Sequence, residues 1–271
     1  MLRKLIKHEF RATGRIMLPL YLVLLATAVG ANLSARGMLE TRYVALDILG
    51  SLLVVAFTLA IIGVFVMAFV LMLQRFYKNL LQDEGYLMMT LPVSIHQHLW
   101  AKLIVSAVWF AATVLAVLLA SMVAAYDVGV FKEFLLIFRE FFLGLRMLKI
   151  SEALNGTVIL AEAVVLLFLA MVAFSLQFYA ALAVGHSYPN HKMALSVAFF
   201  FGFQFVIQFL GSMLVIGLDK IGAFHFLDRW TLTPAASVHV GLLICIVGVV
   251  IYGAIFYGIT TLFLKKRLNL E

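Results

Sequence analysis

Long apolar runs separated by short polar gaps dominate this chain. A helix that crosses the bilayer needs about 20 mostly apolar residues, and six runs reach that length. They are Ile16–Ala35, Leu46–Leu73, Leu103–Tyr126, Gly156–Gly185, Met193–Leu218 and Val240–Leu264. None alternates between apolar and polar positions as a strand of a membrane barrel does, so the pattern predicts helical spans.

The composition agrees with a membrane setting. The mean hydropathy is +1.12, 65% of the residues are hydrophobic and 12% are charged. We therefore expect an all-α integral membrane protein, a six-helix transmembrane bundle. No polar stretch is long enough to bury a core of its own, so residues 1–271 are expected to form a single transmembrane domain.

The distribution of basic residues predicts the orientation. If the N-terminus is cytoplasmic, 12 of the 20 Lys and Arg residues fall on the inner side. With Asp47 at the start of the second span counted, each outer loop carries as many acids as bases, so nearly all of the net charge of +7 faces the cytosol. By the positive-inside rule both termini are cytoplasmic, in what we expect to be a bacterial cell membrane.

The first fifteen residues, Met1–Arg15, have the pattern of a basic amphipathic helix lying on the inner membrane surface. Arg3, Lys4, Lys7 and Arg11 point away from the apolar side. That side carries Leu2, Leu5, Ile6 and Phe10. The alternative is that these bases serve only to set the topology, which would require them in any case.

Residues 74–102 form the largest inner segment, between the second and third spans. Its polar run Gln82–Tyr86 is followed by Pro92, which breaks a helix. Ser94 with Gln97 three positions later has the pattern of a capping box, the signal for a new helix. The segment is expected to be a short cytoplasmic helix, a turn, and a helix that re-enters the membrane.

An outer segment, residues 127–155, has a charge repeat of seven. Lys132, Arg139 and Arg146 recur at that interval, with apolar positions on the opposite side. The repeat predicts an amphipathic helix on the outer leaflet. A surface helix that only packs is the alternative.

Two stretches carry a family resemblance: MLRKLIKHEFRATGR and RFYKNLLQDEGYLMMTLPVSIHQHLWAKL. With the count and order of the spans, they resemble bacterial permeases of the type-2 class of ABC transporters that lack a fused ATPase. The resemblance implies a permease subunit of an ATP-driven exporter in the lipid bilayer. It further implies a second permease subunit, identical or different, and two cytosolic ATPase subunits that bind ATP and Mg²⁺.

In that family the helix between the second and third spans is the coupling helix, which inserts into a groove of the ATPase. Carried onto this chain, the resemblance places the ATPase contacts in one short stretch. The expected docking residues are Leu80, Leu81, Asp83, Glu84, Tyr86, Leu87 and Met88.

Four polar residues within the spans are candidates for a translocation path. Glu162 is an acid in an apolar run, where ionisable groups usually face protein or water. Gln204, Gln208 and Ser212 recur every four residues and share one helix face. A pairing role for Glu162, and bonding between helices for the other three, are the alternatives.

Motifs for catalysis are missing from the sequence. It has no G-x-x-x-x-G-K-[ST] loop to hold phosphates, and neither H-E-x-x-H nor G-x-S-x-G. His96 and His98 would point apart on a helix, so they do not suggest a metal site. We expect no enzyme activity, no cofactor and no nucleic-acid partner in this chain.

The expected cargo is a hydrophobic or amphipathic compound such as a peptide, lipid or drug, because no ring of charge marks an ion or sugar path. The alternative function is a membrane module that transports nothing, such as an immunity or sensory subunit acting against membrane-active peptides. It would share the six spans but would not need an ATPase-docking face at Asp83–Met88.

Overall fold

The computed structural model is helical, with no strand in the residues it describes. Those residues are 2–40, 44–82, 85, 90, 92–126, 132–133, 135–136, 139–140, 143, 150–222 and 234–266. The long helices are α1 Leu2–Glu40, α2 Val44–Leu80, α3 Ile95–Ala124, α4 Ile150–Gly185, α5 Lys192–Lys220 and α6 Pro234–Lys266.

All six helices are long and apolar enough to cross a membrane. The shortest, α5, has 29 residues, which at 1.5 Å per residue is about 44 Å, against a hydrocarbon core of about 30 Å. The prediction of six helical spans is confirmed at this level. Each predicted span lies inside one of these helices, except that α3 ends at Ala124, two residues before the predicted end at Tyr126.

The predicted boundary between an interfacial helix and the first span is not observed. Helix α1 runs without interruption through Arg15 and Ile16, and it includes Pro19. No helix-breaking residue stands at that junction, and backbone hydrogen bonds stabilise a continuous helix in lipid as well as at its surface. The exposed side of its first turns carries Arg3, Lys4, Lys7 and Arg11, while Glu9 and Thr13 are buried.

In the outer segment 127–155, the residues between 132 and 143 that the structure describes are helical and exposed. Leu135 belongs to the predicted apolar side, and its side chain is 46% exposed. The rest of this segment's predicted helix up to residue 149 lies outside the described residues.

The chain divides into two compact units. Unit 1 comprises Met1–Gln74 and Trp100–Leu154, and unit 2 comprises Arg75–Leu99 and Asn155–Glu271. The boundaries cut α2 and α3 near the ends that flank residues 83–91. The end of α2 and the start of α3 therefore belong to the same unit as α4, α5 and α6.

The core of unit 1 is formed by α1, α2 and α3. Small residues allow close approach of the helix backbones, as is common in membranes. The core residues are Met17, Leu24, Ala28, Val64, Ala68, Leu71 and Ala120. Hydrogen bonds from α1 add direction: Tyr21 bonds the Thr113 hydroxyl at 2.9 Å, and Asn32 donates to the carbonyls of Ala124 and Tyr126.

Aromatic contacts hold unit 2 together. Phe178 of α4 stacks on Phe200 of α5 at a centroid distance of 4.3 Å. Phe203 of α5 meets the edge of Phe256 of α6 at 5.4 Å. Offset and edge-on aromatic pairs stabilise packing beyond the area they bury. Apart from Ser196, no residue of α5 is buried, so this helix turns most of its surface outward.

Candidate functional site

The expected docking residues fall into two groups. Leu80 is the last residue of α2 and Leu81 follows it in a turn, and their side chains are 0% and 4% exposed. They pack inside unit 2 and present no surface to a partner in this conformation. Asp83, Glu84, Tyr86, Leu87 and Met88 lie outside the described residues.

The chain leading into the docking segment is held against α4. Phe76 stacks on Tyr179 with the ring centroids 4.0 Å apart and the planes 6° from parallel. Both side chains are 0% exposed. His186 directly follows the end of α4 at Gly185. The ring of Tyr77 meets the ring of His186 edge-on, with the centroids 5.0 Å apart. These contacts fix the end of α2 to the end of α4.

The chain leaving the docking segment is held against α6. The first turn of α3 is capped by Ser94, whose hydroxyl accepts the Gln97 amide at 3.3 Å, as the capping pattern predicts. Next along the helix, His96 lies between two residues of α6, Tyr257 and Lys265. Its Nδ1 is 2.6 Å from the Tyr257 hydroxyl and its Nε2 is 3.1 Å from the Lys265 ammonium.

The ammonium group of Lys265 determines the tautomer of His96. A lysine ammonium can only donate, so Nε2 must accept and Nδ1 must carry the hydrogen that is donated to Tyr257. The arrangement is a hydrogen-bonded tie between α3 and α6.

His186 stands at the other tie, in the turn between α4 and α5. Its side chain is buried, its Nδ1 donates to the Leu182 carbonyl at 2.9 Å, and Ser196 lies 3.4 Å from the same nitrogen. Burial lowers the pKa of His186 below its ordinary value of 6.5, the Leu182 bond opposes the shift, and the charge of Lys192 adds to it. The ring is therefore neutral at pH 7.

Gly185 allows this turn to close. A Cβ at that position would lie 2.5 Å from the backbone nitrogen of Ser196 and 2.6 Å from its Cα. Such distances are shorter than real carbon contacts, and backbone atoms cannot rotate away. Only glycine permits the end of α4 to meet the start of α5 this closely.

Glu162 of α4 is within hydrogen-bond distance of a residue of α6. Its Oε2 is 2.9 Å from Nδ1 of His239, and the two side chains are 18% and 21% exposed. Glu162 also lines an open apolar groove on unit 2 of about 450 Å³. The pairing alternative and the path alternative for this residue are thus both compatible with its position.

The polar residues of α5 are separated by their contacts. Gln204 accepts a hydrogen bond from the Gln177 amide of α4 at 3.0 Å. Gln177 in turn accepts the Tyr252 hydroxyl of α6 at 2.7 Å, which connects three helices. Gln208 and Ser212 are exposed, and Ser212 donates to the Phe209 carbonyl of its own helix at 2.8 Å. For Gln204, bonding between helices is what the structure displays.

A buried ion pair in unit 1 did not emerge from the sequence. The Lys102 ammonium of α3 is 2.9 Å from Oε1 of Glu9 of α1, with side chains 4% and 11% exposed. Thr13, one turn after Glu9, accepts the Trp109 indole N–H at 2.7 Å. The available signal was that Glu9 is the one acid among the bases of the first fifteen residues.

In the described part of the chain, no group of three or more His, Cys, Asp or Glu side chains is placed to hold a metal ion. The arrangement instead offers hydrogen-bonded and charged contacts between helices, an apolar groove with one carboxylate, and an anchored residue on each side of positions 83–91.

The fold and these contacts define a multi-helical protein with six candidate membrane spans. No protein-family profile matches the chain, and neither a curated protein nor a solved structure matches it significantly.

Proposed function

We propose that this chain is a permease subunit of an ATP-driven ABC transporter of the type-2 exporter class. In this proposal it lies in the bacterial cell membrane with both termini cytoplasmic. It pairs with a second permease subunit and with two separate ATPase subunits, which bind ATP and Mg²⁺. Its cargo is a hydrophobic or amphipathic compound.

One structural observation supports this proposal most: both flanks of the docking segment are tied to membrane-spanning helices. Phe76 ties the end of α2 to α4 through its stack on Tyr179. His96 ties the start of α3 to α6 through Tyr257 and Lys265. A displacement of residues 83–91 by a partner would therefore be carried into α4 and α6 through packed side chains.

The nature of these ties suits mechanical coupling. The Phe76–Tyr179 stack is fully buried, and interiors packed to this degree transmit displacement because they resist compression. The tie at His96 is directional, since it depends on two hydrogen bonds from one ring. A cytoplasmic loop that served only to join two spans would not need side-chain anchors on both sides.

The sequence supports assigning ATP hydrolysis to a separate subunit and ATPase docking to this chain. The chain has no phosphate-binding loop of the G-x-x-x-x-G-K-[ST] type, so ATP hydrolysis is assigned to the partner. The proposed docking contacts are Asp83, Glu84, Tyr86, Leu87 and Met88. Leu80 and Leu81 are buried at the end of α2 and precede these contacts in the chain. Of the candidate path residues, Glu162 is retained because it lines a groove.

Capture of the ATPase by docking variants tests this function. Tyr86→Ala and Glu84→Lys should each weaken ATPase binding by about 1–3 kcal/mol, because an aromatic anchor or a charge at the centre of an interface contributes most of its energy. The loss at Glu84→Lys should be larger at low salt, because salt screens exposed charge pairs.

Glu140→Lys is the matched control, since it makes the same charge reversal at an exposed position of the outer segment. It should leave ATPase capture unchanged, and all variants should elute as a single species in gel filtration. Normal capture with both docking variants would remove the docking assignment. A chain that binds no ATPase at all would favour the immunity or sensory module.

A further inference from the structure

The groove beside Glu162 combines an apolar lining with a single acid. It lies between α4 and α6 within unit 2, and its volume of about 450 Å³ falls within the ~300–1,000 Å³ range of small-molecule sites. Thr157, Val158, Ala161, Val165 and Ile246 complete the lining. A ligand that fits this groove must offer a hydrocarbon surface to most of it and a polar group to Glu162.

The carboxylate has capacity to accept further hydrogen bonds. His239 contacts Oε2 only, and across the described residues no hydrogen bond reaches Oε1. A carboxylate offers about four lone-pair sites. The groove therefore presents a carboxylate with unused acceptor positions to a hydrogen-bond donor.

The pair lies near one end of its two helices. Glu162 comes six residues after the start of its candidate span at Gly156, and His239 comes three after Ala236. At 1.5 Å per residue these positions are about 9 and 5 Å along the helices from those ends. The remaining lining residue of α6, Ile246, lies two turns deeper, where an alkyl chain would extend.

We propose that this groove binds amphiphiles with a single alkylammonium group, the ammonium on Glu162 and the alkyl chain along Ala161, Val165 and Ile246. Charge complementarity identifies the head group, because an ammonium N–H donates a charge-assisted hydrogen bond to a carboxylate. A divalent metal ion is excluded as occupant, since hard cations take six or more oxygen ligands and the groove offers one carboxylate.

The charge must supply the selectivity. Lipid tails are as apolar as the groove, so a hydrocarbon chain gains little by leaving the bilayer for it. An uncharged amphiphile of the same length should therefore contact the groove no more than any other lipid-facing surface. Only the ammonium gains an interaction there that the surrounding hydrocarbon does not offer.

The experiment uses two photoreactive probes, dodecylamine and dodecanol, each with a diazirine on the chain. The purified chain in phosphatidylcholine nanodiscs is illuminated with each probe, and labelled residues are mapped by mass spectrometry. Labelling at 158–165, with position 162 itself left out, is divided by labelling at the exposed α5 residues 205–214. The ratio obtained with the amine is then divided by the ratio obtained with the alcohol. This quotient cancels differences between the probes in partitioning and in diazirine reactivity.

In the wild-type chain the quotient should be about tenfold, which corresponds to ~1.4 kcal/mol of preference. Glu162→Gln keeps the size and hydrogen bonding of the side chain but removes its charge, and should bring the quotient to about one. His239→Gln keeps the carboxylate charged and should preserve most of the preference. Ala161→Phe fills the groove without replacing Glu162 or His239 and should abolish labelling by the amine.

A quotient near one in the wild type would overturn the proposal, and so would an unchanged quotient in Glu162→Gln. Equal losses in Glu162→Gln and His239→Gln would also overturn it, because the pair would then act only by holding α4 to α6. Taking these ligands as cargo rests on the proposed function. The labelling itself uses the chain without an ATPase, so failure of ATPase capture leaves this result standing.

Discussion

The buried pair of Glu9 and Lys102 makes a sharp prediction about how α1 is fixed to α3. Oε1 and Nζ are 2.9 Å apart, and the side chains are 11% and 4% exposed. At that separation and an effective dielectric of about 20, their attraction is ~6 kcal/mol. Removing both charges from water costs several kcal/mol per ion, so the pair as a whole contributes little net stability.

Breaking the pair is a different matter, because the remaining charge stays buried without its partner. Glu9→Gln and Lys102→Met should each lower the free energy of unfolding by about 3–5 kcal/mol. The larger loss is expected for Glu9→Gln, because the ammonium that remains is the more deeply buried of the two charges. The double variant Glu9→Gln, Lys102→Met should lie within about 1 kcal/mol of the wild type, since it removes both buried charges.

The assay is unfolding by SDS in mixed micelles, followed by the far-ultraviolet circular dichroism of the helices. Lys7→Met is the matched control, because it removes a lysine charge from the exposed side of the same helix and should change stability by no more than ~0.5 kcal/mol. Additive losses in the double variant would refute the reasoning, since they would mean that the two groups contribute independently.

Three further predictions concern the α4–α5 turn and the topology. Gly185→Ala should destabilise the protein by about 1–3 kcal/mol through its clash with Ser196, whereas Gly202→Ala, with nothing within 4 Å, should be neutral or stabilising by up to ~1 kcal/mol; chemical unfolding of both variants checks this. Because the pKa of His186 is lowered in the folded state, its contribution to stability is complete above pH 6.5 and declines as pH falls from 6.5 toward the lower folded value. His186→Gln should remove that part of the pH dependence, and an unchanged profile would disprove the assignment. Cysteines at Lys78 and Arg139, in a Cys245→Ser background, should react with impermeant reagents from opposite sides of the membrane, and labelling from one side would contradict the proposed topology.

The spans were predictable because crossing hydrocarbon imposes a length, and each apolar run displays that length directly. The end of the N-terminal segment was not predictable, since amphipathic and fully apolar stretches are both helical. No residue at Arg15 or Ile16 interrupts the helix. Ser94 was recognised as a cap because its hydrogen bond to Gln97 is local. A hydrogen bond between residues this close in the sequence can be predicted from the sequence.

The contacts between helices could not be predicted from the sequence. His239 is 77 positions from Glu162, and their meeting depends on how α4 and α6 pack. In lipid, the buried and the lipid-facing sides of a helix are both apolar, so the pattern does not reveal which side is which. The family resemblance likewise placed Leu80 and Leu81 at a partner surface, whereas their side chains are buried in unit 2.

The most direct test of the central proposal is the composition of the native complex. The chain is to be purified from the membranes of its own cell under gentle conditions, its bound subunits identified, and ATP hydrolysis by the preparation measured. We predict a stoichiometric ATPase subunit with a phosphate-binding loop, and hydrolysis that is lost when Glu84→Lys releases that subunit. Recovery of a stable, correctly folded chain without any nucleotide-binding subunit would contradict the proposal that this chain is a transporter permease.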